Sequence, residues 1–251
     1  MRILLIHMSD FHIKEDDELI SNIKIEQMCS ILDRFKDASK VMLLFTGDVA
    51  FSGGKEQYEK AAEVFKRIKC GLEEWHGDNV PMYCVPGNHD IANLKDYPCP
   101  KDKGSFDRDW RIYFEMQDLE LENYRAFSAL FDGSIPEGGT VSLVEESAGN
   151  GSDQQSVAVC LINTAPLSFL GTNDKGQHYI GEDSLAKIRA AKEHNLRIAL
   201  MHHSPEWFGK ACILPLKNAL GDAMDIVFIG HEHRNETFSV SPLGGSWFHA
   251  V

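Results

Sequence analysis

Five short apolar runs along the chain each end in a cluster of Asp, Asn or His, and this recurrence constrains the fold more than any other feature. The runs are Ile3 to Ile6, Val41 to Phe45, Pro81 to Val85, Arg197 to Met201 and Asp225 to Ile229. The clusters are Ser9-Asp10-Phe11-His12, Thr46-Gly47-Asp48, Gly87-Asn88-His89-Asp90, His202-His203 and Gly230-His231-Glu232-His233. A short continuous apolar run predicts a strand buried on both faces. Ligating groups at successive strand ends predict loops gathered on one rim, where α/β scaffolds place their sites.

Helical patterns separate the runs. Ile20, Ile23, Met28, Ile31, Leu32 and Phe35 recur at three- and four-residue steps. From Lys55 to Trp75, Tyr58, Ala62, Phe65, Ile68 and Leu72 line one side of a second helix. Strand, helix, strand, helix, strand predicts βαβ units with right-handed crossovers. Regularity is lost over 91–139, where Pro98, Pro100, Gly104, Gly133, Pro136, Gly138 and Gly139 mark loops. This stretch reads as a cap-like insertion, with two short helices between Phe106 and Phe131. Beyond it, Val141 to Val144 and Ser156 to Ile162 predict a hairpin around Gly149-Asn150-Gly151. Glu182 to His194 predicts a helix, Leu214 to Leu220 a weak one, and Thr237 to Val240 with Ser246 to Val251 a last hairpin. One domain is expected over 1–251. The apolar ending suggests the N-terminal part of a longer protein with a further C-terminal domain; an edge strand at the end is the alternative.

Charge and cysteine content narrow the function classes. A formal net charge of −13 disfavours non-specific wrapping of nucleic acid. Bound cations would reverse that sign locally, so a phosphate substrate stays allowed. Cys29, Cys70, Cys84, Cys99, Cys160 and Cys212 form no Cys-x-x-Cys pair. They read as reduced and buried, which fits a cytoplasmic protein. The N-terminus carries no signal-peptide pattern, and no run of about 18 apolar residues suggests a membrane span.

The clusters have a physical logic. Residues two apart in an extended segment point the same way, so Asp10 with His12, and His231 with His233, each present two groups to one side. Gly47, Gly87 and Gly230 precede ligands where the chain must turn or approach closely. A single Asp-x-His at a strand end is more often a solvated loop, and Gly-Asp is a common turn. Five such clusters, all on strand ends, are not explained that way.

The series Asp-x-His, Gly-Asp, Gly-Asn-His-Asp, His and Gly-His-x-His resembles the calcineurin-like metallophosphoesterase family, and most of all its cyclic-nucleotide phosphodiesterase branch. The resemblance implies an α/β fold, a β-sandwich flanked by helices in four αββα layers. It implies two divalent metal ions: Asp10, His12, Asp48 and His233 hold one, and Asp48, Asn88, His202 and His231 hold the other. The mixed N and O donors suit Mn²⁺, Fe or Zn²⁺, with Mn²⁺ favoured. His89 is the implied acid for the leaving group, with Asn88 and His89 on the substrate phosphate. Asp90 either orients His89 or caps a turn. His203 takes an outer or substrate-facing place. The implied reaction is attack on a small phosphodiester, such as a cyclic nucleotide, by a hydroxide shared between the metals. A nuclease, a phosphomonoesterase and a non-catalytic scaffold are the alternatives. Lys95, Lys101, Lys103, Arg108 and Arg111, with Tyr97, Phe106 and Trp110, read as a substrate-reading patch or a solvated face. Trp207 and Phe208 read as pocket walls or as packing.

Overall fold

The computed structural model describes residues 2–91, 103–133, 135, 140–149, 154–168 and 174–232, and the backbone of 237–240 and 247–250; within 110–119, only residues 112 and 115 have described side chains. Two sheets build the fold. The first joins β1 (Ile3–Met8), β2 (Lys40–Phe45) and β3 (Met82–Cys84), all parallel, with β2 in the middle. The second contains β4 (Val141–Ala148), β5 (Gln155–Ile162), β6 (Leu196–Met201), β7 (Ile226–Ile229), β8 (Thr237–Val240) and β9 (Trp247–Ala250), in the order β4-β5-β6-β7-β9-β8. Its strands β5, β6, β7 and β9 run parallel, and antiparallel β4 and β8 lie at the edges.

Period-two alternation sorts the strand residues into layers. Met42, Leu44, Tyr83 and Val85 pack between the sheets against Val157, Val159, Leu161, Ile198, Leu200 and Phe228. The intervening Val41, Leu43 and Phe45 face outward, onto Phe65, Ile68 and Leu72 of α2 (Lys55–His76) and Phe127 of α4 (Glu122–Ser128). On the far side, Ala158, Cys160 and Ile162 meet Leu185 and Ile188 of α5 (Glu182–Ala190) and Leu216 and Leu220 of α6 (Lys210–Ala223). Helix, sheet, sheet, helix is the four-layer sandwich expected. The remaining helices are α1 (Asn22–Leu32), capped by the Ser21 side chain, and α3 (Lys103–Asp118).

Several expectations are corrected. β1 is half-buried along its length because it is an edge strand, paired among the described residues only with β2. Among its described residues, the stretch over 91–139 carries a 16-residue helix, α3, before the short α4. The weak helix at 214–220 extends over 14 residues despite Pro215, because Cys212, Leu216, Ala219, Leu220 and Ala223 bury one face. Cys70 is exposed on α2 and Cys29 half-buried, while Cys84, Cys160 and Cys212 are buried; all five are free thiols. Cys99 and residues 150–151 of the expected turn lie outside the described residues. So do Lys95, Tyr97, Lys101 and the side chains of Trp110 and Arg111. Lys103 pairs with Asp107 and Arg108 with Asp109, and Phe106 is buried against Tyr179, so the described part of the basic patch is neutralised or packed. No helix among the described residues is long and apolar enough to cross a membrane.

One ion pair ties β6 to β7 where both begin. The Asp225 carboxylate accepts from the Arg197 backbone N–H and from Nε, each at 2.9 Å. Partial burial pushes the Asp225 pKa up, but the guanidinium and the amide outweigh it and hold the carboxyl below its ordinary value. A depressed carboxylate stabilises the fold above its unfolded pKa, and that contribution is lost as pH falls through the folded value. Asp225→Asn is therefore expected to destabilise the protein by no more than about 1 kcal/mol at neutral pH, since the pair is partly exposed. Urea melts should show the gap closing below about pH 4; a gap that persists at pH 3 would remove ionisation as its cause.

Candidate metal centre

Parallel strands place their C-terminal ends on one rim, and the two sheets meet along it. Residue pairing continues past the strands: Asp10 N–H donates to Gly47 O at 3.1 Å, His12 N–H to Asp48 O at 3.0 Å and Ile13 N–H to Val49 O at 2.9 Å. Asp10, His12, Asp48 and His231 all hold left-handed backbones, with φ of 57°, 47°, 55° and 69°. Such strain in non-glycine residues survives only where surroundings over-determine it, and here it coincides with the expected ligands. Gly47 has φ 95°, and a Cβ there would stand 2.6 Å from His202 Nδ1. A Cβ on Gly87 would stand 2.5 Å from the Asp48 backbone nitrogen. These glycines let the β2, β3 and β6 loops approach closely enough to share a site.

Four lone-pair atoms converge at its centre. His202 is fully buried, and its Nδ1 lies 2.7 Å from the Thr46 carbonyl. A carbonyl only accepts, so Nδ1 carries a proton, and Nε2 is the atom turned inward. Nε2 lies 3.0 Å from Asn88 Oδ1, 3.2 Å from His231 Nδ1 and 3.3 Å from Asp48 Oδ2. Asn88 Oδ1 is also 3.0 Å from His231 Nδ1. The donor set is two imidazole nitrogens, a carboxamide oxygen and a carboxylate, which suits a divalent transition metal. Burial opposes charge on His202, yet the Asp48 and Asp10 carboxylates and the Thr46 carbonyl push its pKa up to about 9. The same burial, with His202 beside it, pushes His231 down to about 4.

The other expected ligands gather at the same carboxylate. His12 Nε2 lies 3.8 Å from Asp48 Oδ2, and the Asp10 carboxylate accepts from His231 N–H at 3.3 Å. Asp10, Asp48 and His202 offer donor atoms within 4.8 Å of one another, as do His12, Asp48 and His89. His233 lies outside the described residues. The structure therefore brings six of the seven expected ligands together and does not describe the seventh.

His89 stands at the edge of this group, its ring edge-on to His12 with centroids 4.5 Å apart. Its Nδ1 is 2.6 Å from the Phe51 carbonyl, so Nδ1 donates there and Nε2 is the atom left for proton transfer. The Asp90 carboxylate does not orient this ring. It accepts from Gly87 N–H at 2.8 Å, Ala50 N–H at 3.0 Å, Val49 N–H at 3.3 Å and the Tyr58 hydroxyl at 2.6 Å. These bonds tie the loops after β2 and β3 together. Burial and the nearby Asp48 charge push its pKa up to about 6 against those hydrogen bonds.

His203 is fully buried, its ring against those of His202 and His231. Trp207 does wall the site: its ring meets His231 edge-on at 4.2 Å, and its Nε1–H donates to Glu232. Phe208 is core. Thr46 and Thr164, which orient histidines through their carbonyls, were not anticipated. Thr164 follows the end of β5, so the strand-end rule applied to that run would have found it.

Two helix-backed sheets thus gather buried imidazole and carboxylate groups that could hold metal ions on their shared rim. The chain belongs to the calcineurin-like phosphoesterase family, whose model matches residues 3–235. It is 30% identical over 98 residues to a probable glycerophosphodiester phosphodiesterase, GpdQ, of Arcobacter nitrofigilis; the match covers 37% of this chain and only 32% of that protein. Among solved structures it is similar to GAP50, the anchor in the inner membrane complex of Plasmodium. The TM-score is 0.50 at 14% identity, over 98% of this chain and 70% of that one, a likeness of fold alone.

Proposed function

We propose that the chain hydrolyses a small phosphodiester, with a cyclic nucleotide as the favoured class, at two divalent cations. The observation that carries this is the convergence of Asp48, Asn88, His202 and His231 on one point, with His12 facing the same Asp48 oxygen and Asp10 within reach of Asp48 and His202. His233 completes the second set in the proposal. Manganese is the favoured ion, and iron or zinc suits the same donors. When bound, the cations polarise the phosphoryl group and make an attacking water acidic near neutral pH. The chain's own residues do the rest. Asp48 fixes the spacing of the two sets. Asn88 and His89 lie on one short helical turn beside the residues that would hold the cations, where the phosphate would bind. The Phe51 carbonyl keeps His89 Nδ1 protonated, so Nε2–H of the charged ring can protonate the departing oxygen. Likeness to a phosphodiesterase supports the diester.

Hydrolysis of bis-p-nitrophenyl phosphate against p-nitrophenyl phosphate, with Mn²⁺ added, tests the reading. Faster diester turnover is expected. Faster monoester turnover would mean a phosphomonoesterase, and no turnover of either would return the scaffold. His89→Ala should keep its metal content but slow esters with poor leaving groups by roughly 10²-fold or more. The loss should shrink for p-nitrophenolate, which needs no proton; equal slowing across leaving groups would remove His89 as the acid.

A further inference from the structure

A second buried cluster lies behind the first, built from residues that the proposed reaction does not use. Asp174, His178 and His203 offer donor atoms within 4.8 Å of one another, and their exposures are 5%, 1% and 0%. Both rings are held by one residue. The Thr164 carbonyl is 3.1 Å from His178 Nδ1 and 3.1 Å from His203 Nδ1, and the Thr164 hydroxyl is 3.0 Å from the latter. Because that carbonyl can only accept, both Nδ1 atoms carry protons, and both Nε2 atoms present bare lone pairs. Neither Nε2 makes a hydrogen bond among the described residues. His178 Nε2 stands 3.5 Å from Asp174 Oδ2, beyond ordinary hydrogen-bond length.

Metal-binding histidines characteristically donate their second nitrogen to a backbone carbonyl, which fixes tautomer and ring direction. Here one carbonyl does so for two rings, centroids 4.3 Å apart. Two bare imidazole lone pairs in a buried site need a positive partner, and the Asp174 carboxylate stands within reach of both. A proton on His178 would leave His203 Nε2 bare. A divalent cation serves both nitrogens at once, with the carboxylate as a third donor.

We propose that Asp174, His178 and His203 form a third cation site, separate from the Asp48 centre, with a donor set that favours zinc. His203 follows His202 directly, and its ring lies 4.6 Å from that of His231, so the site buttresses the ligands it adjoins.

The test is zinc content after chelator stripping and reloading with Zn²⁺ alone, read by elemental analysis after gel filtration. Wild type should retain three equivalents. Asp174→Asn and His178→Gln should each retain two, with zinc affinity for the third lowered by more than the 10- to 100-fold that loss of an outer hydrogen-bond partner costs. Cobalt substitution gives an independent reading: a visible band that saturates with one equivalent should vanish in both variants. Asp48→Asn should weaken the other two equivalents and spare this one. If wild type retains only two equivalents, and the two variants match it, a water bridging the two nitrogens occupies the cluster and the proposal fails. A single equivalent, lost in Asp174→Asn but kept in Asp48→Asn, would uphold this site and sink the dinuclear reading instead.

Discussion

Replacing Asp48 with Asn is expected to abolish phosphoester turnover and to strip most of the bound metal while the protein stays folded. Asp48 is 1% exposed, and one of its oxygens faces histidines of both proposed ligand sets. Its Oδ2 faces His202 Nε2 at 3.3 Å and His12 Nε2 at 3.8 Å. Its Oδ1 accepts from the His89 backbone N–H at 2.8 Å, so the same carboxylate also sets the turn that carries Asn88 and His89. Burial alone would push this carboxyl up, but the His202 charge and hydrogen bond, with help from His89, hold it well below the usual carboxylate range. It is therefore held as an anion. An Asn keeps one acceptor oxygen, turns the other atom into a donor aimed at histidine lone pairs, and removes the charge that the two cations of the proposed centre would share. Loss of an outer hydrogen-bond partner costs a metal site about 10- to 100-fold in affinity. Loss of a shared ligand should exceed that, and turnover with saturating Mn²⁺ should fall by at least about 10³-fold. Elemental analysis, a turnover assay and a thermal melt on one preparation decide the matter. A folded variant that keeps both metals and its rate would sink the assignment of Asp48 as the common ligand.

How far the sequence reaches depends on whether a feature is local. The alternation in Val41 to Phe45 and Ser156 to Ile162 is local, and it sorts residues onto the two faces of each sheet as observed. Clusters at strand ends are local too, and parallel pairing then carries them to one rim without further information. What fails is long-range. The role of Asp90 depends on amides at Val49 and Ala50, about forty positions earlier in the chain, and on Tyr58, one turn into α2. Nothing near Asp90 announces them. The left-handed backbones of Asp10, His12, Asp48 and His231 are equally hidden, because only glycine advertises positive φ. Pro215 conceals α6 for a different reason: propensity speaks against the helix and burial of its inner face overrides it. His178 and Asp174 lie on no strand end, so no rule applied to strand ends could find them.

The clamp made by Asp90 gives the largest expected effect on stability. Its carboxylate is fully buried and accepts from three backbone amides and one hydroxyl. Gly87 belongs to the loop after β3, and Val49 and Ala50 to the loop after β2, so one side chain fixes the separation of the Asp48 and Asn88 loops. Asp90→Ala would leave those donors buried without a partner. Each unsatisfied buried group costs about 1–3 kcal/mol, so a loss of at least about 3 kcal/mol is expected even after local relaxation. Asp90→Asn keeps the shape and one acceptor but turns an NH₂ toward amides that need an oxygen, and it should fall between Ala and wild type. Denaturant melts give the stabilities, and a leaving-group series on the Asn variant separates the two roles. A loop clamp predicts weaker metal retention and slower turnover in equal proportion for good and poor leaving groups, because His89 keeps its own anchor on Phe51. If Asp90 instead acted through the His89 imidazole, the Asn variant would hold its metals and lose rate only where the departing oxygen needs a proton.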